Sequence, residues 1–253
     1  MDFLNSLNIN TVINIVLVAV LVICGWQGYK KGIIMGIIEV LVIILSLYGA
    51  QLLSDTYSYE VIPVLKPFVS GYMETQLENT AYAELGYEPD EDGKFNVDRS
   101  LSDLLVENPG MEEQIASATF KSLGLYDNMA QTLTQRTIAY SQENGASLSS
   151  SVVTISCQTI TWYGGFLLAF IIIFAILTII INLPNLSFKI PYVGIVNDIG
   201  GAAIGVFVGL LFCSIMVWAC QFAGLLLSEQ TLRGTGLAAY LMDRNLLASY
   251  ITL

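Results

Sequence analysis

The chain has 253 residues, 55% of them hydrophobic and 12% charged, and its mean hydropathy is +0.66. This composition is typical of a membrane protein and excludes an ordinary soluble globular chain. The formal net charge of −11 is concentrated in one segment, because residues 54–158 contain 16 acids and 5 bases whereas the remainder contains 5 of each.

Two classes of function are disfavoured by the same composition. Nucleic-acid binding requires a basic surface, which this acidic chain does not supply. The sequence contains no histidine, so Ser–His and Cys–His nucleophile pairs are excluded, as is the commonest ligand of zinc, copper and iron. We therefore predict a non-enzymatic protein with no catalytic residues, no metal site and no cofactor.

The first two apolar runs are predicted to form a transmembrane hairpin at residues 1–53. They extend from about Ile9 to Trp26 and from about Gly32 to Leu53, and each can cross a hydrocarbon layer of ~30 Å. A short basic turn separates them. A cleavable signal peptide has positive charge before its apolar run and a small-residue cleavage site after it, whereas here Asp2 precedes the run and the bulky, basic stretch 26–31 follows it. The first run is therefore interpreted as an uncleaved helix.

Glu39 is the one ionisable residue well inside a predicted span. It lies seven residues after Gly32, or ~10 Å along a helix, and an acid at that depth is a functional-site hypothesis. The structural alternative is a protonated or hydrogen-bonded glutamate that faces the bundle or reaches the headgroups. Thr178 and the level of Gly205 are expected at a similar depth.

Residues 54–158 are predicted to form an acidic extracytoplasmic domain made mainly of short amphipathic helices. The expected helices are 61–77 (interrupted by Pro63 and Pro67), 103–125 and 128–143. Residues 86–97 are expected to form a small hairpin around an Asp–Gly turn. A Ser/Gly-rich linker at 145–151 leads to the next apolar run.

The acidic turn at 88–99 partly resembles an EF-hand calcium loop. Glu88, Asp90, Asp92 and Gly93 occupy its first, third, fifth and sixth positions. The twelfth position, which should supply a bidentate glutamate, is Arg99. We therefore expect a solvated acidic turn that attracts divalent cations only loosely.

Residues 159–227 are predicted to form a second transmembrane hairpin. The third apolar run extends from about Thr159 to Ile181, and the fourth follows a connection at 182–196 that contains two prolines. Asn197 or Asp198 is expected to cap the fourth helix. Residues 228–253 are expected to form a short amphipathic tail, helical from about residue 236, that lies in the membrane interface.

Two series of glycines at four-residue spacing are predicted to pack helices closely. On a helix, this spacing gives a bare ridge along which two backbones can approach in lipid. In the first hairpin, the alternative is that Gly28 only ends the first helix. The two series are Gly28, Gly32 and Gly36, and Gly201, Gly205 and Gly209. We expect the two ridges to meet, either within one chain or between two.

Basic residues in the short connections set the predicted orientation. Lys30 and Lys31 lie in the first connection and Lys189 lies in the third, so the positive-inside rule places both connections in the cytoplasm. Four spans then place both termini and the acidic domain on the extracytoplasmic side.

Two motifs resemble the CvpA, or colicin V production protein, family. Residues 28–34, GYKKGII, are similar to the Gly-aromatic-x-basic-Gly turn between that family's first two helices. Residues 191–205, PYVGIVNDIGGAAIG, are similar to the family's short connection into a glycine-rich fourth helix. The chain departs from the family where members often have a basic–acidic pair, because Met35 and Gly36 stand there. The large outer domain is also not a core family feature.

The resemblance implies an all-α protein of the bacterial inner membrane with four spans, associated with toxin production or export and with envelope homeostasis. We therefore expect a CvpA-like protein that lies in the lipid bilayer and either self-associates or binds another membrane protein. The alternative is an oligomeric channel or transporter component with a path lined by Glu39, Asn14 and Thr178. The sequence does not specify a partner for the acidic domain.

Overall fold

The computed structural model describes residues 9–90, 92, 94–108, 110–182, 194–222 and 228–244. All regular elements in these residues are α-helices, which confirms the helical fold class. Three helices, the first, fifth and sixth, are long and apolar enough to cross a membrane. In chain order the helices are α1 (Ile9–Glu84), α2 (Leu101–Glu107), α3 (Glu112–Ser122), α4 (Asp127–Asn144), α5 (Leu148–Asn182), α6 (Gly194–Cys220), α7 (Glu229–Arg233) and α8 (Gly236–Asp243).

Helix α1 has one break, at Gly32, where φ is 82° and ψ is 176°. Residues with a side chain rarely adopt this conformation, so the position favours glycine. The break divides α1 into a first limb, residues 9–31, and a second limb, residues 33–84. Residues 26–31, expected to form a turn, are helical.

The two limbs of α1 contact the same stretch of α6 in opposite directions. From the beginning to the end of the first limb, its contacts move backward along α6, from Cys213 to Gly201. Along the second limb, the contacts move forward again, from Gly200 to Ile204. The contacting pairs are Leu17 with Cys213, Gly28 with Gly201, Ile33 with Gly200, and Gly36 with Ile204. The single residue Gly32 therefore reverses the chain and makes a helical hairpin.

The chain divides into two compact units. Unit 1 consists of Met1–Asp55, Gly165–Cys220 and Leu227–Leu253. Its described part holds the first limb, residues 33–55 of the second limb, residues 165–182 of α5, and helices α6, α7 and α8. Rings from α5 and α6 pack edge to face, with 5.3 Å between the centroids of Phe166 and Trp218.

The carboxyl-terminal segment of unit 1 is packed against the protein. Helix α8 contacts α6 and buries Ala238, Leu241 and Met242. The preceding short helix, α7, was not predicted, and it buries Leu232. Residues 245–253 of the predicted interfacial tail lie outside the described residues.

Unit 2 consists of Thr56–Gly164 and Gln221–Leu226. It contains α2, α3 and α4, together with the later part of α1 and the first part of α5. Its core includes the fully buried side chains of Leu77, Ile115 and Phe120. The prediction of a helix at 128–143 is confirmed to within one residue at each end by α4.

Several helix ends in unit 2 differ from the predictions. Pro63 and Pro67 lie inside α1, because both are on its exposed side, where the carbonyl groups that lose a partner can remain solvated. The helix expected at 103–125 is two helices, α2 and α3, with Gly110 at φ 96° between them.

The segment expected to be a linker, 145–151, contains the end of α4 and the first turn of α5. Gly145 ends α4 in the left-handed conformation, with φ 60°. The hydroxyl of Ser147 accepts a hydrogen bond from the amide of Ser150 at 3.3 Å, and α5 begins at Leu148. Helix α5 therefore starts well before the apolar run predicted from Thr159.

The hairpin expected at 86–97 has a turn but no strands in its described residues. The amide of Asp90 donates to the carbonyl oxygen of Lys94 at 2.8 Å. The Asp90 carboxylate accepts from the amide of Lys94 at 2.7 Å. Asp90 thus closes an Asx-type turn by itself, without a ladder of strand hydrogen bonds.

Candidate functional site

The closest backbone packing in unit 1 is between Gly28 of the first limb and two glycines of α6. A Cβ atom on Gly28 would lie 2.8 Å from the Cα of Gly205, and one on Gly205 would lie 3.0 Å from the Cα of Gly28. A Cβ on Gly201 would lie 2.7 Å from the Cα of Gly32. Because the opposing atoms are backbone, a larger residue would force the two helices apart. These contacts lie within a single chain.

The remaining glycines of the two series face mainly side chains, although a Cβ on Gly209 would also lie 3.2 Å from the Cα of Leu21. A Cβ on Gly209 would lie 3.1 Å from Cδ2 of Leu21, and one on Gly36 would lie 2.9 Å from Cγ2 of Ile204. Flexible side chains can adjust where backbone cannot. The tightest constraint is therefore confined to Gly28, Gly201 and Gly205.

Asn197 caps a different helix from the one expected. Helix α6 already includes Gly194, so Asn197 and Asp198 lie inside it rather than at its N-cap. The Asn197 side chain is buried, and its Oδ1 accepts a hydrogen bond from the amide of Ile33 at 3.1 Å. Ile33 is the first residue of the second limb, where amides lack a partner within the helix. Asn197 therefore caps the second limb and ties the break at Gly32 to α6.

Glu39 forms an ion pair with Lys31. The Lys31 ammonium contacts Oε1 of Glu39, and the two side chains are 33% and 25% exposed. Lys31 is the last residue of the first limb and Glu39 lies on the second limb, so the pair links the two limbs of the hairpin. Each charge has its counter-ion, which lowers the free energy of placing it among apolar helices.

The ion pair lines a cavity of about 290 Å³ within unit 1. Gln27 contributes from the first limb, and Thr178 and Asn182 contribute from α5. The structure therefore brings Glu39 and Thr178 to one site. With donors, acceptors and both signs of charge, this cavity can hold water or a small polar solute.

The other predicted polar and basic residues lie elsewhere. Asn14 precedes the cavity residue Cys24 by ten positions, about 15 Å of helix. The Lys30 ammonium lies 5.1 Å from the ring centroid of Trp26, a cation–π contact on the exposed side of the first limb. Of the connection expected at 182–196, residue 182 ends α5 and residues 194–196 begin α6. Lys189 and the rest of the connection lie outside the described residues.

Sequence reasoning missed two cavity residues, Gln27 and Asn182. The signal that could have found them is helical spacing, since Gln27 precedes Lys31 by four residues and Asn182 follows Thr178 by four. Side chains four residues apart share a helix face. Two polar pairs at this spacing, each near the end of an apolar run, indicate one polar face on each of two helices.

The acidic turn of unit 2 does not gather metal ligands. Among the described residues, no group of three or more His, Cys, Asp and Glu side chains is placed to hold a metal ion. The Asp90 carboxylate accepts hydrogen bonds from the backbone amides of Asp92 and Lys94. The guanidinium of Arg99, at the twelfth position of the compared loop, donates to both carboxylate oxygens of Glu107 at 2.9 and 2.5 Å.

The ion pair between Arg99 and Glu107 shifts the pKa of both side chains. Hydrogen bonding and charge attraction from Arg99 lower the pKa of the Glu107 carboxyl below its usual value. The same interactions raise the pKa of the Arg99 guanidinium. Both side chains are exposed, so the pair is screened by solvent and salt.

The described fold is helical, and three of its helices are long and apolar enough to cross a membrane. Unit 1 contains an intrachain glycine contact and a mainly apolar cavity that holds the Lys31–Glu39 ion pair. Comparisons with known protein families, characterised proteins and solved structures find no match to this chain.

Proposed function

We propose that this chain is a CvpA-like protein of the bacterial inner membrane with four spans. The spans are residues 9–31 and 33–53 of α1, the apolar part of α5, and α6. The short connections face the cytoplasm, and both termini and the acidic segment 54–158 are extracytoplasmic. The protein is non-enzymatic and acts in toxin production or export, or in envelope homeostasis, through self-association or binding of a membrane partner.

The observation that carries this proposal is the backbone contact of Gly28 with Gly201 and Gly205. In lipid, packing of small residues is a main source of helix association, so this contact stabilises a bundle suited to a scaffold. Because the chain's own helices fill this surface, a second copy or a partner needs another surface.

A groove between the first limb and α6 supplies such a surface. It has a volume of about 400 Å³ and is lined by small and apolar residues, including Gly25, Ala202 and Val206. Val22 and Trp26 at its edge are 64% and 60% exposed. A helix of a second copy can approach closely over the small residues and pack against the larger ones.

The test compares two neighbouring alanines of α6. Ala202 lines the groove, whereas Ala203 is exposed and is not among the groove residues. We expect Ala202→Leu to lower the fraction of oligomer cross-linked in native membranes, and Ala203→Leu to leave it unchanged. Equal cross-linking in wild type, A202L and A203L would refute the groove as the surface through which copies of the chain associate.

Labelling of single cysteines tests the topology. Cysteines replacing the exposed residues Lys30 and Glu88, in a background with the four native cysteines changed to alanine, are treated with a membrane-impermeant maleimide. Labelling at position 88 but not at position 30 in intact cells is expected. The reverse pattern would invert the proposed orientation.

The second candidate function is a component of an oligomeric channel or transporter. The Lys31–Glu39 cavity favours it, because ionisable side chains that face a cavity among apolar helices mark candidate sites for ions or solutes. Proton and potassium flux through the full chain in liposomes tests this candidate. Loss of flux in Glu39→Gln but not in Glu74→Gln, an exposed acid of unit 2, would support it, and absence of flux in a stable oligomer would refute it.

A further inference from the structure

Unit 2 contains an apolar pocket of about 490 Å³ that the proposed function does not use. Its walls come from four segments of unit 2, of which α1 contributes only Phe68, Val69, Tyr72 and Met73. The other three are residues between 120 and 133 of α3, α4 and their connection, residues between 156 and 164 of α5, and Phe222. The rings of Tyr163 and Phe222, both in the lining, stack with 4.0 Å between their centroids. The pocket is thus a formed aromatic and aliphatic cavity within an otherwise acidic segment.

The hydroxyl of Ser156, which lines the pocket, has no hydrogen-bond partner in the described part of the chain. Ser156 is 6% exposed. Helical serine and threonine usually donate to the carbonyl four residues earlier, as Thr159 does to Ile155 at 2.8 Å. A buried hydroxyl left unpaired is unfavourable, so Ser156 is available to a ligand with a hydrogen-bonding group.

The rim of the pocket is apolar and exposed. Phe68 is 81% exposed, Tyr72 is 56% exposed and Ile160 is 49% exposed. Large apolar side chains that are exposed together at the mouth of a cavity are typical of a binding surface, whereas single exposed apolar residues are not. Lys66, one helical turn before the pocket residue Val69, is exposed and places a positive charge near this end of the pocket.

The size of the pocket decides between classes of ligand. One turn of an α-helix, 5.4 Å long and ~10 Å across, occupies roughly 420 Å³, so this space holds no more than a single turn of a partner helix. A flexible apolar chain can fill this space along its length, whereas a partner helix would place only one turn there. In the proposed topology, residues 159–164 begin the third span, which brings the pocket within reach of bilayer lipids.

We propose that this pocket binds the acyl chain of a membrane phospholipid. The aromatic and aliphatic walls hold the chain, the Ser156 hydroxyl pairs with an ester oxygen, and the Lys66 ammonium attracts the phosphate. The assignment of a bilayer phospholipid as the ligand rests on the membrane topology given under the proposed function. The pocket itself is independent of the glycine contact and of the Lys31–Glu39 cavity.

The test uses two glycines of unit 2 that both have open space around an added Cβ atom. Gly164 lines the pocket and Gly71 does not, and neither would bring a Cβ within 4 Å of a non-neighbouring atom. The full chain is reconstituted in liposomes that contain a phospholipid with a photoactivatable acyl chain. We expect cross-links at residues 68–73 and 156–164, which Gly164→Leu lowers severalfold and Gly71→Leu leaves unchanged.

A second variant keeps the test independent of pocket shape. Ser156→Ala removes the unpaired hydroxyl without adding volume, and loss of one hydrogen bond should weaken labelling about threefold to tenfold. Equal labelling in wild type, Gly164→Leu and Ser156→Ala would overturn the proposal. Labelling by a photoactivatable free fatty acid but not by the phospholipid would refute the bilayer as the source. Neither result bears on groove-mediated oligomerisation.

Discussion

The contact between Gly28 and Gly205 predicts that adding one methyl group at Gly205 destabilises the bundle. Gly205→Ala has two opposed effects. Helix propensity favours alanine over glycine by about 1 kcal/mol in a helix interior, whereas overpacking a close contact costs about 1–3 kcal/mol. Here the added Cβ would lie 3.0 Å from the Cα of Gly28 and 3.1 Å from the carbonyl carbon of Cys24. Backbone atoms cannot rotate away, so the upper end of that range applies.

Gly164→Ala is the matched control for this prediction. Gly164 is also helical, and an added Cβ there has no non-neighbouring atom of the described residues within 4 Å. Only the propensity effect remains, so Gly164→Ala should raise the free energy of unfolding by up to about 1 kcal/mol. Gly205→Ala should lower it by about 2 kcal/mol, which leaves the two variants about 3 kcal/mol apart.

The assay is equilibrium unfolding of the full chain in mixed micelles, followed by the fluorescence of its three tryptophans. One of them, Trp218, is buried against Phe166 in unit 1, so its emission reports loss of this packing. If Gly205→Ala were as stable as Gly164→Ala, the glycine contact would not hold the first limb to α6, and the argument for a tightly packed bundle would fail.

Three further predictions follow from single contacts. Asn197→Ala should lower the free energy of unfolding by about 0.5–2 kcal/mol, because Ile33 loses its cap, whereas Asn197→Asp keeps an acceptor and should lose less in the same micelle titration. Lys31→Met and Glu39→Gln should each destabilise more than the double variant, since each leaves one charge unpaired, and a double-mutant cycle showing simple additivity would contradict the ion pair. Arg99→Gln should raise the pKa of Glu107 in an NMR titration. Because the folded-state pKa of Glu107 is lowered, its contribution to stability is present above its unfolded pKa and is lost as the pH falls through the folded value. If Glu107→Gln left the dependence of unfolding free energy on pH unchanged, this contribution of the ion pair would be refuted.

Local rules predicted much of unit 1 from the sequence. A four-residue glycine spacing places bare positions on one helix face whatever surrounds the helix, so the close approach at Gly201 and Gly205 follows from spacing and hydropathy. The depth of Glu39 along its helix follows in the same way. These properties depend on helical rise and periodicity alone.

Features set by distant partners were not predictable. Asn197 is a good N-cap residue by type, but which helix it caps depends on how Gly32 reverses the chain beside α6. Prolines such as those at 63 and 67 usually end a helix. They leave α1 intact because both lie on its exposed side, while the burial of Leu77 on the following part of the helix stabilises it in the core of unit 2. Helix ends are decided by such tertiary contacts rather than by local propensity.

Whether the protein acts as a scaffold or as part of a pore depends on which surfaces remain available after the chain has folded. Two ridges meeting between chains would have made the glycines the oligomer contact. With Gly28, Gly201 and Gly205 packed against one another inside one chain, Gly205→Ala perturbs the fold and cannot by itself report on oligomerisation. The Ala202 groove is the surface that tests association, and the Lys31–Glu39 cavity is the site that tests transport. Because these two sites share no lining residue, A202L and E39Q can separate the two functions in one preparation.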